Sequence, residues 1–142
     1  MKKGESFGHS IDMKKIYTAH SKRNYYAKHL VSAYVLKKGA LPLNPFMNWG
    51  YFLDDLVERE SIRNANNELV ELSDEMWQFG EISNGCYHEL VLAMKRKIPI
   101  KFFTVGGLMT DINPISIDEL VFEEEVAKEV DIQEFIEKLR KY

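Results

Sequence analysis

One cysteine, Cys86, stands in the 142 residues, so no internal disulfide can form and the fold has to hold by packing. A chain of this length buries roughly two thirds of its unfolded surface, which makes a covalent staple unnecessary. No run of about 18 apolar residues and no apolar signal segment appears, so neither a membrane partner nor export is expected and the location reads as cytoplasmic. Positive charge is not in excess either. Nineteen Lys and Arg face 22 Asp and Glu, a net charge of -3 that argues against a nucleic-acid partner. His20, His29 and His88 show no ligand spacing with acids or with Cys86, so no metal is expected, and no cofactor motif is read.

What is present is a globular composition, 45% hydrophobic and 29% charged, of a size that suits one domain. Residues 1–13 are polar and aperiodic and read as a loose leader, with His9 solvated. Lys15-Ile-Tyr17-Thr-Ala19 predicts a first strand, and His20 to Asn24 a polar break. Tyr26, Leu30, Ala33, Tyr34 and Lys37 fall at helical spacing before Gly39, predicting a helix over 24–38. The run 40–46 predicts a second strand ending in a turn at Asn44-Pro45 that extends through Trp49-Gly50. An amphipathic helix follows over 51–64, with a bend at 64–67 and helical spacing again to Ser73-Asp74. Met76 to Phe79 is the third strand, 85–97 a helix with Lys95, Arg96 and Lys97 in its last turn, and Ile98 to Val105 the fourth strand. Leu120 to Phe122 reads as a short strand and 131–142 as an amphipathic helix. Strands alternating with helices imply an α/β fold: a single doubly wound, mostly parallel sheet covered on both faces, Rossmann- or flavodoxin-like.

In such a sheet the ligand lies beyond the carboxyl ends of the strands. Loops 20–24, 46–50 and 80–85 meet there. The last opens a helix near Gly85 whose free N–H groups and positive dipole end suit a phosphate or carboxylate, with the Ser83 hydroxyl as a further donor. Ser83 or Asn84 equally serves as a plain helix cap. Glu89, one turn in, is placed to reach an electrophile bound beside the anion, although a glutamate early in a helix is also favourable for dipole reasons alone. Cys86 reads as a buried structural thiol. Trp49 and Trp77 read as core or pocket wall.

Lys15-Ile-Tyr17, Ser73-Asp74 before a strand, Ser83-x-Gly85-x-x-x-Glu89 and the apolar strand after Ile98 together resemble the nucleoside 2-deoxyribosyltransferase-like superfamily, which includes nucleoside 5'-monophosphate N-glycosidases. The resemblance spans about Lys14 to Thr104 and is strongest in Gly85-Cys-Tyr-His-Glu89-Leu-Val-Leu-Ala93. It implies that Glu89 is a nucleophile toward an anomeric carbon, oriented by Tyr17. It also implies that a serine at Ser83, where transferases carry a base-contacting aspartate, contacts phosphate. Ser21, Lys22 and Arg23 would add phosphate donors and Asn84 and Gly85 the backbone of the anion turn. Subunit interfaces often complete pockets in the resembled enzymes, which implies a homo-oligomer.

The chain departs from that pattern at Asn66, where members usually place an aspartate that assists proton transfer to the leaving base, and an amide cannot act as a general acid at neutral pH. Asp54, Asp55 or Glu58 would substitute if their helix crosses the pocket. The expected activity is therefore N-glycosidase or glycosyltransferase action on a nucleotide, nucleoside or nucleotide-derived small molecule through a carboxylate nucleophile. The alternative is a non-catalytic nucleotide-binding or sensing module of the same fold.

Overall fold

In the computed structural model, residues 12–50 and 56–142 are described. The leader expected over 1–13 lies almost wholly outside them, as do Asp54 and Asp55. Four parallel strands form one sheet in the order β2-β1-β3-β4. They are β1 (Lys15–His20), β2 (Leu41–Leu43), β3 (Glu75–Phe79) and β4 (Ile100–Phe103). Tyr17 is in register with Leu43 on one side and with Met76 on the other. The central strand β3 is buried along its whole length, as expected for a parallel strand covered on both faces.

The helices are α1 (Lys28–Lys37), α2 (Pro45–Trp49), α3 (Arg59–Leu72), α4 (Asn84–Lys95), α5 (Glu124–Glu129) and α6 (Ile132–Lys141). From β1 the chain steps outward to β2, then returns across the sheet to β3 and on to β4. Right-handed crossovers leaving in opposite directions place their helices on opposite faces. Alternation along β1 shows the two layers. Tyr17 and Ala19 pack with Val70 of α3, Leu90 of α4 and Phe135 of α6, while Ile16 packs with Val31 and Val35 of α1. The fold is thus α/β and Rossmann/flavodoxin-like, with its switch point between β1 and β3.

Three local expectations change. The helix predicted over 24–38 is a 3-10 segment, Lys22–Ala27, followed by α1, and Asn24 is the non-helical residue inside it. The Asn44-Pro45 turn is instead a helix start. Asn44 accepts from the Phe46 N–H at 3.0 Å and Pro45 occupies the first helical position, where its missing N–H removes no bond. Residues 64–67 neither bend nor interrupt α3, which runs unbroken from Arg59 to Leu72. Asparagine weakens a helix only slightly, and here Val70 anchors the helix in the core. Residues 51–55 of the expected preceding helix lie outside the described residues, and 56–58 are not helical.

In the C-terminal third, Leu120 to Phe122 forms no named strand. Phe122 makes a single bridge to Ile82, and the Ile82 N–H donates to Val121 O at 2.9 Å. This bridge draws the C-terminal segment across the loop after β3. Gly80, which ends β3, has φ +76, and a Cβ there would lie 2.7 Å from both Asn24 Nδ2 and Val105 Cγ1. Positive φ and the lack of room for a Cβ both call for glycine at this turn.

Candidate functional site

Beyond the carboxyl ends of β1 and β3 lies a cavity of about 670 Å³, within the range of small-molecule sites. Its floor holds Tyr17 and Glu89. Tyr17 is carried on β1, and Glu89 projects from α4 one turn after the helix start. The Tyr17 hydroxyl donates a 2.8 Å hydrogen bond to Glu89 Oε2, across 72 residues of sequence. Burial lifts the Glu89 carboxyl from its ordinary 4.5 to about 7, against the opposing pull of the Tyr17 hydrogen bond. Burial also raises the Tyr17 phenol well above its usual range, with the Glu89 charge and hydrogen bond adding to the effect. Tyr17 is therefore a fixed donor, and Glu89 is a carboxylate poised near neutrality.

The amino end of α4 forms one side of the cavity through Ser83, Asn84 and Gly85. Ser83 is the N-cap, and its oxygen accepts from the Cys86 N–H at 3.2 Å. The helix therefore begins at Asn84 rather than Gly85, and the capping role of Ser83 is real. The N–H groups of Asn84 and Gly85 belong to the unsatisfied donors of a helix start. Cys86, just inside the helix, is buried, and burial together with the nearby Glu89 charge pushes its thiol up to about 12. It is a packed thiol, held in its protonated form.

Across from α4, Ser21, Lys22 and Arg23 form the loop after β1 and also line the cavity. Ser21 accepts from the Arg23 N–H at 3.2 Å and donates to Glu123 Oε2 at 2.5 Å, so its hydroxyl is committed within the protein. Arg23 Nε lies 3.7 Å from the same carboxylate, while most of its side chain faces outward. Asn66 lines the cavity from α3, where its amide oxygen accepts from Trp49 Nε1 at 2.7 Å. Glu58 precedes α3 and is not among the cavity-lining residues. All nine site residues expected from the sequence thus face one cavity.

Other wall residues were not anticipated. Arg59, Arg63 and Asn67 join the expected Asn66 in lining the cavity from α3, and the spacing of the four is that of one helical face. That periodicity was readable, but it is polar and so resembles an ordinary solvated stripe. Glu123 and Glu125 enter from the C-terminal third. Glu123 reaches Ser21 over a separation of 102 residues, which no local pattern encodes. His20 and Phe46 complete the wall, their rings 4.8 Å apart.

Lys22, Arg23, Arg59 and Arg63 line the same cavity as the α4 amino end, together with the acidic Glu123 and Glu125, of which Glu123 pairs with Arg23. Among the described residues no group of three His, Cys, Asp or Glu side chains is placed to hold a metal ion. No helix among them is long and apolar enough to cross a membrane.

A family model described as Domain of unknown function (DUF7768) matches residues 13–103, well over half of the chain. The chain belongs to this family. The DUF7768 segment runs from just before β1 to the end of β4 and so includes Tyr17, Asn66, Ser83 and Glu89. Glu123 and Glu125 lie beyond it. No curated protein matches the chain.

Proposed function

We propose that the cavity binds a nucleotide and that Glu89 cleaves its N-glycosidic bond, in the manner of the nucleoside 2-deoxyribosyltransferase-like superfamily that the sequence resembles. The observation that carries this reading is the 2.8 Å hydrogen bond from the Tyr17 hydroxyl to Glu89 at the floor of a ligand-sized cavity. A carboxylate bonded to a fixed phenol, in one cavity with a helix start and with Arg59 and Arg63, supports attack on a carbon attached to an anion.

In the proposed reaction the Glu89 carboxylate forms a bond to the anomeric carbon as the carbon–nitrogen bond breaks. The electron pair leaves with the base, which takes a proton from water. Water, or a second base, then attacks the anomeric carbon, breaks its bond to the Glu89 oxygen and gives up a proton to the hydroxide left by the first step, which releases the sugar phosphate or a new nucleotide and restores the carboxylate. Ser83 and the Asn84 and Gly85 N–H groups hold the phosphate, with Arg23 and Lys22 at its outer side. Ser21 acts through Glu123 by fixing the loop that carries those two cations.

The direct test is release of free base from a panel of nucleoside 5'-monophosphates, followed chromatographically. Loss of a nucleophile removes several powers of ten in rate. Equal turnover by wild type and Glu89→Ala would sink the proposal.

A second reading, a nucleotide-binding module without chemistry, draws on Asn66. The position where the resembled enzymes keep an acid holds an amide bonded to Trp49, a structural commitment. Calorimetric binding without base release, undiminished in Glu89→Gln, supports this second reading over the first.

A further inference from the structure

His20 ends β1 three residues after Tyr17, about 10 Å further along the strand. It is 5% exposed, yet it forms part of the cavity wall. Among the described residues neither ring nitrogen has a hydrogen-bond partner. Buried polar atoms are nearly always paired, so two orphaned nitrogens on one ring at a cavity wall call for a partner from outside the chain.

Of the neighbouring polar groups only the Ser21 backbone approaches the ring, and it can engage no more than one of the two nitrogens. The Trp49 indole N–H is given to Asn66, and the Ser21 hydroxyl is given to Glu123. Burial, only partly offset by the Ser21 backbone and reinforced by the Lys28 charge, brings His20 down to about 4. At neutral pH the ring is therefore uncharged, with one N–H to donate and one lone pair to accept. Such a ring is a poor phosphate ligand but matches an edge that carries both a donor and an acceptor.

Planar aromatic surface stands beside it. The Phe46 ring lies 4.8 Å from His20 and is held edge-on by Tyr25 at 5.3 Å, and Trp49 continues the wall along α2. Flat rings of this kind stack on a heteroaromatic base whatever its identity. The charged groups enter from α3, from the amino end of α4 and from Lys22 and Arg23 just after His20, so the aromatic wall adjoins a cationic one.

We infer that His20 is a specificity-determining residue that hydrogen-bonds the polar edge of the heteroaromatic base, with Phe46 and Trp49 packing on the base plane. This rests on the nucleotide reading of the cavity and adds to it which residue reads the base. In this arrangement Tyr17 and Glu89 address the sugar, the α4 start addresses the phosphate, and His20 addresses the base.

The test uses full-length protein carrying Glu89→Gln, so that nothing is turned over, with histidine rings labelled by nitrogen-15. It is titrated with adenosine, inosine, cytidine and uridine 5'-monophosphates and, as a control without a base, ribose 5-phosphate. At least one nucleotide is expected to shift the His20 ring nitrogens while those of exposed His29 stay in place, and ribose 5-phosphate should leave His20 unmoved. His20→Phe should weaken binding of that nucleotide about tenfold or more, as expected for losing a buried hydrogen bond. Its affinity for ribose 5-phosphate should hold, which shows that the variant is folded, and His20→Asn, with a donor and an acceptor of its own, should recover part of the loss.

A nucleotide that binds without moving the His20 signals, unchanged nucleotide affinity in His20→Phe, or a panel with no binding at all overturns the inference. Base release by the wild type with a silent His20 ring defeats this inference alone. A responding ring with no base release from any nucleotide defeats the glycosidase reading alone.

Discussion

The Trp49 indole donates to the Asn66 amide oxygen at 2.7 Å and so ties α2 to α3 at the cavity wall. An aspartate at 66 can accept the same hydrogen bond and still present a second carboxyl oxygen to the cavity. Asn66→Asp is therefore expected to keep the fold and to add a proton donor for the leaving base. General acids contribute roughly a hundredfold or more to such steps. Single-turnover base release should accelerate at least tenfold in this variant, most clearly below neutral pH where the new carboxyl is protonated. An unaltered rate with an unaltered melting temperature would mean that position 66 does not address the leaving group.

Glu89 must be ionised to attack, so the rate of base release should rise with pH through about 7. The Tyr17 hydrogen bond favours the carboxylate, and removing it lets burial act unopposed. In Tyr17→Phe the rising limb should therefore move to higher pH, with the plateau rate lowered about tenfold or more through lost orientation. A variant that loses rate with its limb in place would show Tyr17 to be a packing residue only.

Much of this architecture could be read from short-range pattern. Tyr17 lies in a β-branched and aromatic run, Leu90 and Ala93 share a helical face, and Ser83 marks a cap, so the strand, the helix and their junction followed from spacing. Asn44-Pro45 suggests a turn in the sequence because the two residues that stop a strand are also the two that start a helix. The asparagines at 64, 66 and 67 resemble a break because propensity ignores surroundings, whereas Asn66 and Asn67 face the cavity from an intact helix. Glu123 was beyond reach, since its partner Ser21 is brought to it only by the finished sheet and the Ile82 to Phe122 bridge. The His20 nitrogens were equally hidden, because a lack of partners is a property of the packed state.

Glu123 accepts from Ser21 and lies beside Arg23, so one carboxylate fastens the loop after β1. Glu123→Ala leaves the buried Ser21 hydroxyl without its acceptor and should cost about 1–3 kcal/mol of stability. It also removes the negative charge beside Arg23. Glu123→Gln keeps an acceptor for Ser21 and should recover most of the stability in urea titrations. Equal destabilisation by both variants would show that charge, not the hydrogen bond, holds the loop.

Glu89 and His20 displace their proton equilibria in opposite directions within one cavity. Glu89 is raised from 4.5 to about 7, so its contribution favours folding at low pH and is lost as the pH rises across that interval. His20 is lowered from 6.5 to about 4, so its contribution is present above 6.5 and is lost as the pH falls toward 4. A displacement of that size corresponds to at most about 3 kcal/mol for each group, less for Glu89 because its carboxylate faces the cavity. Between 4.5 and 6.5 the two slopes oppose, and their joint contribution to stability should be nearly level. Glu89→Gln removes one slope, so its stability should climb from pH 4 to 6.5. His20→Phe removes the other, so its stability should decline from pH 4.5 to 7. Urea unfolding of the three proteins at fixed ionic strength reads both slopes directly. Parallel profiles in wild type and both variants would show that neither group is buried in the ionisation state assigned to it.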